Sequence, residues 1–273
     1  MSSAAQQLTL FLWVDGLFPR RVTWYLLQKG LVSSPEALLR GETADPNLSI
    51  VRLSPGPEFL QKGWDFNPAD DPLPREISTS SPCLRVTKSD NTIVWVRESL
   101  SILYYLETLY GNQGSPIVPP VANTLEVAFA TDALGALENF NQGLALYMAH
   151  ASPTFASMRG IKDEERSRSL AENGHAYMVG WLVKLQERCA PSLETSGWLT
   201  LGTSGPGIVD LCLAPHRQYL ELVYGVDFFS DEKLGPLQEW WVRFRAAYPW
   251  WKALEEREGV HPEHMKFKLE FVF

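Results

Sequence analysis

The stretch GNQGSPIVPP, residues 111–120, divides the chain more sharply than any other feature. Its glycines and prolines break both helix and strand. Before it, short apolar runs of strand length alternate with helical periodicity. Beyond it the strand signal largely disappears. A chain divided this way is expected to fold as a mixed α/β unit followed by an all-helical unit. The expected boundaries are 1–112 and 121–273.

In the first part, Leu8 to Val14 is an apolar run of strand length. Pro19 followed by Val22, Trp24, Tyr25 and Leu26 predicts a helix ending near Gly30. Leu48 to Leu53 is a second strand candidate. Ser54 to Ser81 is rich in Pro, Asp and Ser, and reads as a loop with at most one short helix. Cys83–Thr87 and Thr92–Val96 flank a turn, Lys88-Ser89-Asp90-Asn91, of hairpin chemistry. Ile102, Leu103, Leu106, Leu109 and Tyr110 then recur at helical spacing.

In the second part, Leu125, Phe129, Leu134, Leu137, Phe140, Leu144 and Tyr147 suit one long helix. The charged patch Lys162 to Arg168 opens another, expected to bury Tyr177, Trp181, Leu182 and Leu185. Two more are predicted, near Ile208–Tyr224 and Pro236–Ala247.

Composition excludes several functions. The 273 residues carry a formal net charge of -8, so a broad electropositive surface for nucleic acid is not expected. No apolar run reaches the roughly 18–20 residues that span a bilayer. Met1 to Leu8 is polar and lacks a basic segment followed by an apolar one, so no secretory signal is expected. Cys83, Cys189 and Cys212 have neither metal-ligand nor C-x-x-C spacing, which fits a reducing cytoplasm. In that compartment the sequon Asn47-Leu48-Ser49 is a chance occurrence.

Four local matches, in order along the chain, resemble the cytosolic glutathione S-transferase family. They are Gly16-Leu17-Phe18-Pro19-Arg20-Arg21-Val22, Ser81-Pro82-Cys83-Leu84, Arg97-Glu98-Ser99 and Gly207-Ile208-Val209-Asp210. A late run, Pro236-Leu237-x-x-Trp240 with Arg243, Pro249, Trp251 and Leu254, is similar to the family's last helices. Phe11 through Arg21 also resembles glutathione-transferase-like proteins of fungal natural-product pathways. The resemblance implies an α/β thioredoxin-like N-terminal domain followed by an all-α C-terminal domain that contributes a hydrophobic substrate pocket. It further implies glutathione as cofactor, a hydrophobic electrophile as substrate, and a homodimer.

Glutathione carries an amine and a carboxylate at its γ-glutamyl end. The Glu98 carboxylate can accept from the ammonium, and the Ser99 hydroxyl and N–H at a helix start can donate to the carboxylate. The alternative is Ser99 as an ordinary N-cap with Glu98 as a favourable nearby charge. The resemblance makes Ser81–Pro82 a cis pair whose Ser81 backbone meets glutathione's cysteinyl backbone. The alternative is an ordinary trans-Pro at a strand start. Phe18 joins this set. Asp210 is expected to cap a buried helix start, with half of the reciprocal box missing because Gly207 has no side chain.

The family usually places Tyr, Ser or Cys near the start of the first helix to hold the thiolate. Asp15, Gly16, Leu17 and Phe18 occupy that turn instead. What remains is the helix N-terminus, whose N–H groups favour an anion, with Arg20 as the candidate catalytic cation. Arg21 is a second possible cationic helper, and reads more readily as a solvated or structural charge. The glycine-rich run Gly202 to Gly207 lacks the Lys-Ser/Thr of a phosphate loop and reads as a cap loop. His261-Pro262-Glu263-His264 lacks helical spacing and a third ligand, so no metal site is expected. The tail Lys266 to Phe271 alternates apolar and charged residues, and packs along an edge or folds over a pocket. Two functions follow. One is a glutathione-dependent enzyme that conjugates an apolar electrophile, or isomerises a double bond by reversible thiol addition. The other is a non-catalytic module of the same fold serving assembly or regulation.

Overall fold

The computed structural model describes residues 6–56, 64–66, 71, 81–248, 250–256 and 268–273. They divide into two units, residues 6–116 with 250–256, and residues 117–248 with 268–273.

The first unit holds a four-stranded sheet in the order β2-β1-β3-β4. The strands are β1 (Gln7–Leu12), β2 (Leu48–Arg52), β3 (Cys83–Thr87) and β4 (Ile93–Val96). β1 pairs parallel with β2, Leu10 opposite Ile50, and antiparallel with β3, Phe11 opposite Cys83. β3 pairs antiparallel with β4, Leu84 opposite Val96. The turn between them carries Asn91 in the left-handed region, at φ 64°, which Asn tolerates better than most residues. A parallel β1–β2 pair requires a crossover, and α1 (Leu17–Gln28) with α2 (Pro35–Arg40) supplies it. α2 is absent from the sequence reading, although Ser34 caps its start through the Ala37 N–H, Pro35 opens it and Gly41 closes it at φ 76°. α3 (Ser99–Tyr110) follows β4 directly.

The two sheet faces differ in chemistry. On one, Phe11, Val51, Leu53 and Cys83 form a buried cluster, joined by Trp13, Trp64, Phe66 and Trp95. Arg85 lies on the same face, between the Phe11 and Trp95 rings, and pairs with the Asp71 carboxylate at 2.9 Å. Most of the predicted loop 54–81 lies outside the described residues. α1 and α3 pack together, joined by the buried Lys29. Its Nζ lies 2.9 Å from the Glu107 carboxylate and donates to the Ser115 carbonyl. The Tyr25 hydroxyl donates to the same carboxylate at 3.1 Å.

The second unit is helical: α4 (Thr124–Ala151), α5 (Pro153–Met158), α6 (Arg168–Thr195), α7 (Ile208–Tyr224) and α8 (Gly235–Ala247). A short α9 (Trp251–Glu255) belongs to the first unit and packs on α2. The α4–α6 seam departs from the sequence expectation. Tyr177 is 45% exposed, and Leu125 and Phe129 are also on the surface. The buried seam includes Leu182 and Leu185 as expected, and otherwise runs through Ala130, Ala133, Leu137, Phe140 and Gly143 on α4 and Gly174 and Met178 on α6. Small residues let the two backbones touch. A Cβ on Gly174 would meet the Tyr147 amide nitrogen at 2.5 Å, and one on Gly143 would meet that of Met178 at 2.8 Å.

Asp210 organises the other end of this unit. It is fully buried at the start of α7, and its carboxylate accepts five hydrogen bonds. The donors are the Leu199, Thr200 and Gly207 amides, the Thr200 hydroxyl and the Trp240 indole, at 2.8–3.1 Å. Burial pushes the Asp210 carboxyl above its ordinary range, and these donors offset only part of that rise. The half of the box that Gly207 cannot provide comes from Thr200. Its hydroxyl accepts from the Val209 N–H at 3.0 Å, and its Cβ stands 2.4 Å from where a Gly207 Cβ would be. Asp210→Ala leaves buried donors on three elements without an acceptor, so it should cost about 3 kcal/mol or more. Urea unfolding should show a lower midpoint at unchanged slope; a midpoint equal to the parent's would remove Asp210 from this role.

Candidate functional site

Three chain reversals meet at one end of the sheet. β3 begins opposite the end of β1, and β4 ends opposite the start of β3. The β1–α1 turn, Ser81–Pro82 and the β4–α3 junction therefore share that edge, although the first lies more than 60 residues before the other two in sequence. Phe18, Ser81, Pro82, Glu98 and Ser99 lie on these three segments, and Arg20 is buried in the first turn of α1.

The Ser81–Pro82 peptide bond is cis. The Ser81 hydroxyl accepts from the Trp13 N–H at 3.0 Å, which ties the start of β3 to the end of β1. Pro82 is buried and Ser81 partly so.

At the β4–α3 junction the N-cap is Glu98, one residue earlier than the capping alternative had it, and Ser99 is the first helical residue. The Glu98 side chain makes no capping bond and is exposed, and no acidic residue follows in the first turn. The α3 start thus presents amide N–H groups that no side chain caps. The Ser99 hydroxyl is buried and accepts from Arg21 Nη1 at 3.3 Å.

The start of α1 is equally bare. Gly16 is its N-cap, with no side-chain bond and no acid in the first turn. No side chain fits there. A Cβ at residue 16 would lie 2.6 Å from Trp13 Cε3 and 2.9 Å from Pro19 Cγ. Packing of Trp13 and Pro19 therefore accounts for the glycine at position 16. Pro19 through Leu26 are all buried, and Arg20 is only 4% exposed. Phe18 is the exception at 43% exposed, with the Arg21 guanidinium 4.9 Å from its ring centre.

Arg21 is therefore a buried charge bonded to a site residue, and a solvated charge is excluded. Consecutive buried positions through α1 were the available signal: a cation on a helix without a polar face must meet a partner inside. The three cysteines are all buried and unpaired with one another. Among the described residues, no cluster of three His, Cys, Asp or Glu side chains is placed to hold a metal ion. The His261–His264 motif lies outside them.

The helical unit contains a cavity of about 410 Å³, lined by His175, Val179, Val226, Phe228, Asp231 and Phe273 among others. The His175 ring packs against Tyr147, Phe228 and Phe273. Burial holds its pKa below the ordinary value, against the pull of Asp231. A depressed folded pKa means that the unfolded chain takes up the proton first. Stability should be complete above about pH 6.5 and fall as the pH drops below it. Melting temperatures from pH 7.5 to 5.5 should fall more steeply for the parent than for His175→Asn. Equal slopes would show that His175 does not carry the effect.

No protein-family model matches the sequence, and no curated protein matches it. Solved structures do match in fold. The maleylacetoacetate isomerase of Anaeromyxobacter dehalogenans 2CP-1, crystallised with glutathione in its active site, aligns at TM-score 0.59 and 16% identity. The alignment covers 95% of this chain and 100% of that one. FzlA from C. crescentus aligns at TM-score 0.57 and 18% identity, covering 95% and 98%. Glutathione transferase F7 from Populus trichocarpa aligns at 0.54 and 18%, covering 90% and 96%. The chain has the glutathione S-transferase fold, a thioredoxin-like sheet unit followed by a helical one. Among the described residues, no helix is long and apolar enough to cross a membrane.

Proposed function

We propose that this chain is a glutathione-dependent transferase or isomerase that binds glutathione at the sheet end described above. The observation that carries the reading is the bare start of α3, with an exposed carboxylate at its N-cap and a buried hydroxyl at its first residue. Those groups match the γ-glutamyl amine and carboxylate in charge and order. Ser81 and Pro82 hold the cysteinyl portion, and Phe18 offers an exposed ring beside it. The isomerase of the same fold, crystallised with glutathione, supports the ligand class.

The thiolate is held by the N–H groups at the start of α1, with Arg20 adding a fixed positive charge. Its sulfur lone pair forms a C–S bond at an electron-poor carbon of the electrophile. In conjugation the displaced electron pair is protonated or leaves with a leaving group. In isomerisation the adduct rotates about its C–C bond, and thiolate elimination restores the double bond. The helical unit supplies the hydrophobic substrate pocket. A place in secondary metabolism rests on the Phe11–Arg21 resemblance alone. A cytoplasmic homodimer is the proposed working form, from the family pattern.

A second reading has its own support. The turn from Asp15 to Phe18 offers no Tyr, Ser or Cys to hold a thiolate, which suits a non-catalytic module of this fold. Thiol titration separates the two. A helix N-terminus contributes about 0.3–2 kcal/mol, so bound glutathione should titrate about one pH unit below its ordinary value near 8.5. An unshifted thiol favours the module.

Calorimetric titration tests the site. Glu98→Ala and Ser99→Ala should each weaken glutathione binding by about 1–3 kcal/mol with the fold intact. Unchanged affinity in both would remove the assignment.

A further inference from the structure

We infer that Arg21 is a positioning residue for the ligand carboxylate, acting through Ser99. The inference rests on the reading that the α3 start binds glutathione, and it gives Arg21 a role distinct from that of a helper to the thiolate.

The charge balance around Arg21 is unusual. It is 7% exposed, and its Nη1 donates to the Ser99 hydroxyl at 3.3 Å. Its Nε and Nη2 are buried and have no hydrogen-bond partner among the described residues. No carboxylate among those residues lies within ion-pair distance of it. Arg85 and Arg217, buried like it, each face a carboxylate, Asp71 at 2.9 Å and Asp227 at 2.6 Å. Burying a guanidinium without a counter-charge is costly. Among the described residues, the one group it hydrogen-bonds is the first residue of α3, where no side chain caps the helix and the only acid, Glu98 at the N-cap, is exposed.

The hydrogen-bond direction gives the mechanism. A guanidinium can only donate, so the Ser99 oxygen accepts and its own proton remains available. As the first helical residue, Ser99 has no carbonyl of a preceding turn to receive that proton. The hydroxyl therefore donates away from Arg21, in the company of the α3 amides. Arg21 fixes Ser99 as a donor and places a positive charge behind it. The matching ligand group is a carboxylate, which in glutathione is that of the γ-glutamyl end. Phe18 packs over the guanidinium at 4.9 Å and helps to hold it in place.

A double-mutant cycle on the full chain tests this, with glutathione and 4-aminobutyryl-Cys-Gly as probes. The second probe keeps the amine and thiol but lacks the γ-glutamyl carboxylate. Arg21→Gln should weaken glutathione binding about 10–100-fold, as expected when a charge-assisted bond is lost. Adding it to Ser99→Ala should weaken binding little further, and the ratio of affinities for the two probes should collapse toward one. Arg21→Lys should show the same trend to a smaller extent, and it carries the test where Arg21→Gln does not fold by circular dichroism. Additive losses in the cycle, or a probe ratio that Arg21 variants leave at the parent's value, would overturn the inference and leave the glutathione reading standing. A parent chain that binds neither probe would overturn both.

Discussion

The strand β3, antiparallel to both of its neighbours, is the constraint on which the candidate site depends. Its pairing with β1 sets Cys83 opposite Phe11, and its pairing with β4 sets Leu84 opposite Val96. A one-residue slip would reverse which side chains face the cluster of Phe11, Val51 and Cys83. Register fixed by core burial thereby fixes which loops meet. The β1–α1 turn, the cis Ser81–Pro82 pair and the α3 start share one end of the sheet as a result. The Trp13 N–H to Ser81 hydroxyl bond closes that edge.

Charge placement separates structural ions from the site. Lys29 and Arg85 are buried beside carboxylates, and their work is to hold α1 against α3 and residue 71 against the sheet. Arg21 is buried beside a hydroxyl at a helix start. Two bare helix N-termini, at Gly16 and at Glu98, give this end of the first unit a positive character. The chain as a whole has a formal net charge of -8, so this character is local and suits a small anionic ligand. The helical unit solves a different problem. It buries Asp210 among donors from three elements, and packs α4 on α6 at backbone contact.

The strands and most helices were legible because their signals are local: apolar runs, Pro at helix starts, and glycines at their ends. The two helices at Ile208–Tyr224 and Gly235–Ala247 follow the sequence pattern closely. α2 was missed although Ser34, Pro35 and Gly41 mark both of its ends, because six residues are too few to show a period. In the α4–α6 seam, Leu182 and Leu185 are buried as expected, but Tyr177 is not, because close approach of the two backbones selects Ala and Gly over large side chains. The helix start at Glu98 and Ser99 was legible from the family pattern. The hydrogen bond from Arg21 to Ser99 was not, because its partners lie 78 residues apart. Thr200 was hidden for the same reason, standing in for a side chain that Gly207 lacks.

The central claim is that glutathione binds at the sheet end of the first unit. Backbone amide shifts of the ¹⁵N-labelled chain, followed during titration with glutathione, test it most directly. The account predicts saturable shifts that are largest at Trp13, Gly16, Ser81, Ser99 and Ser101, with Ser99 and Ser101 moving with the same midpoint as Trp13. Shifts confined to residues 168–224, or no saturable shift at millimolar glutathione, would contradict it.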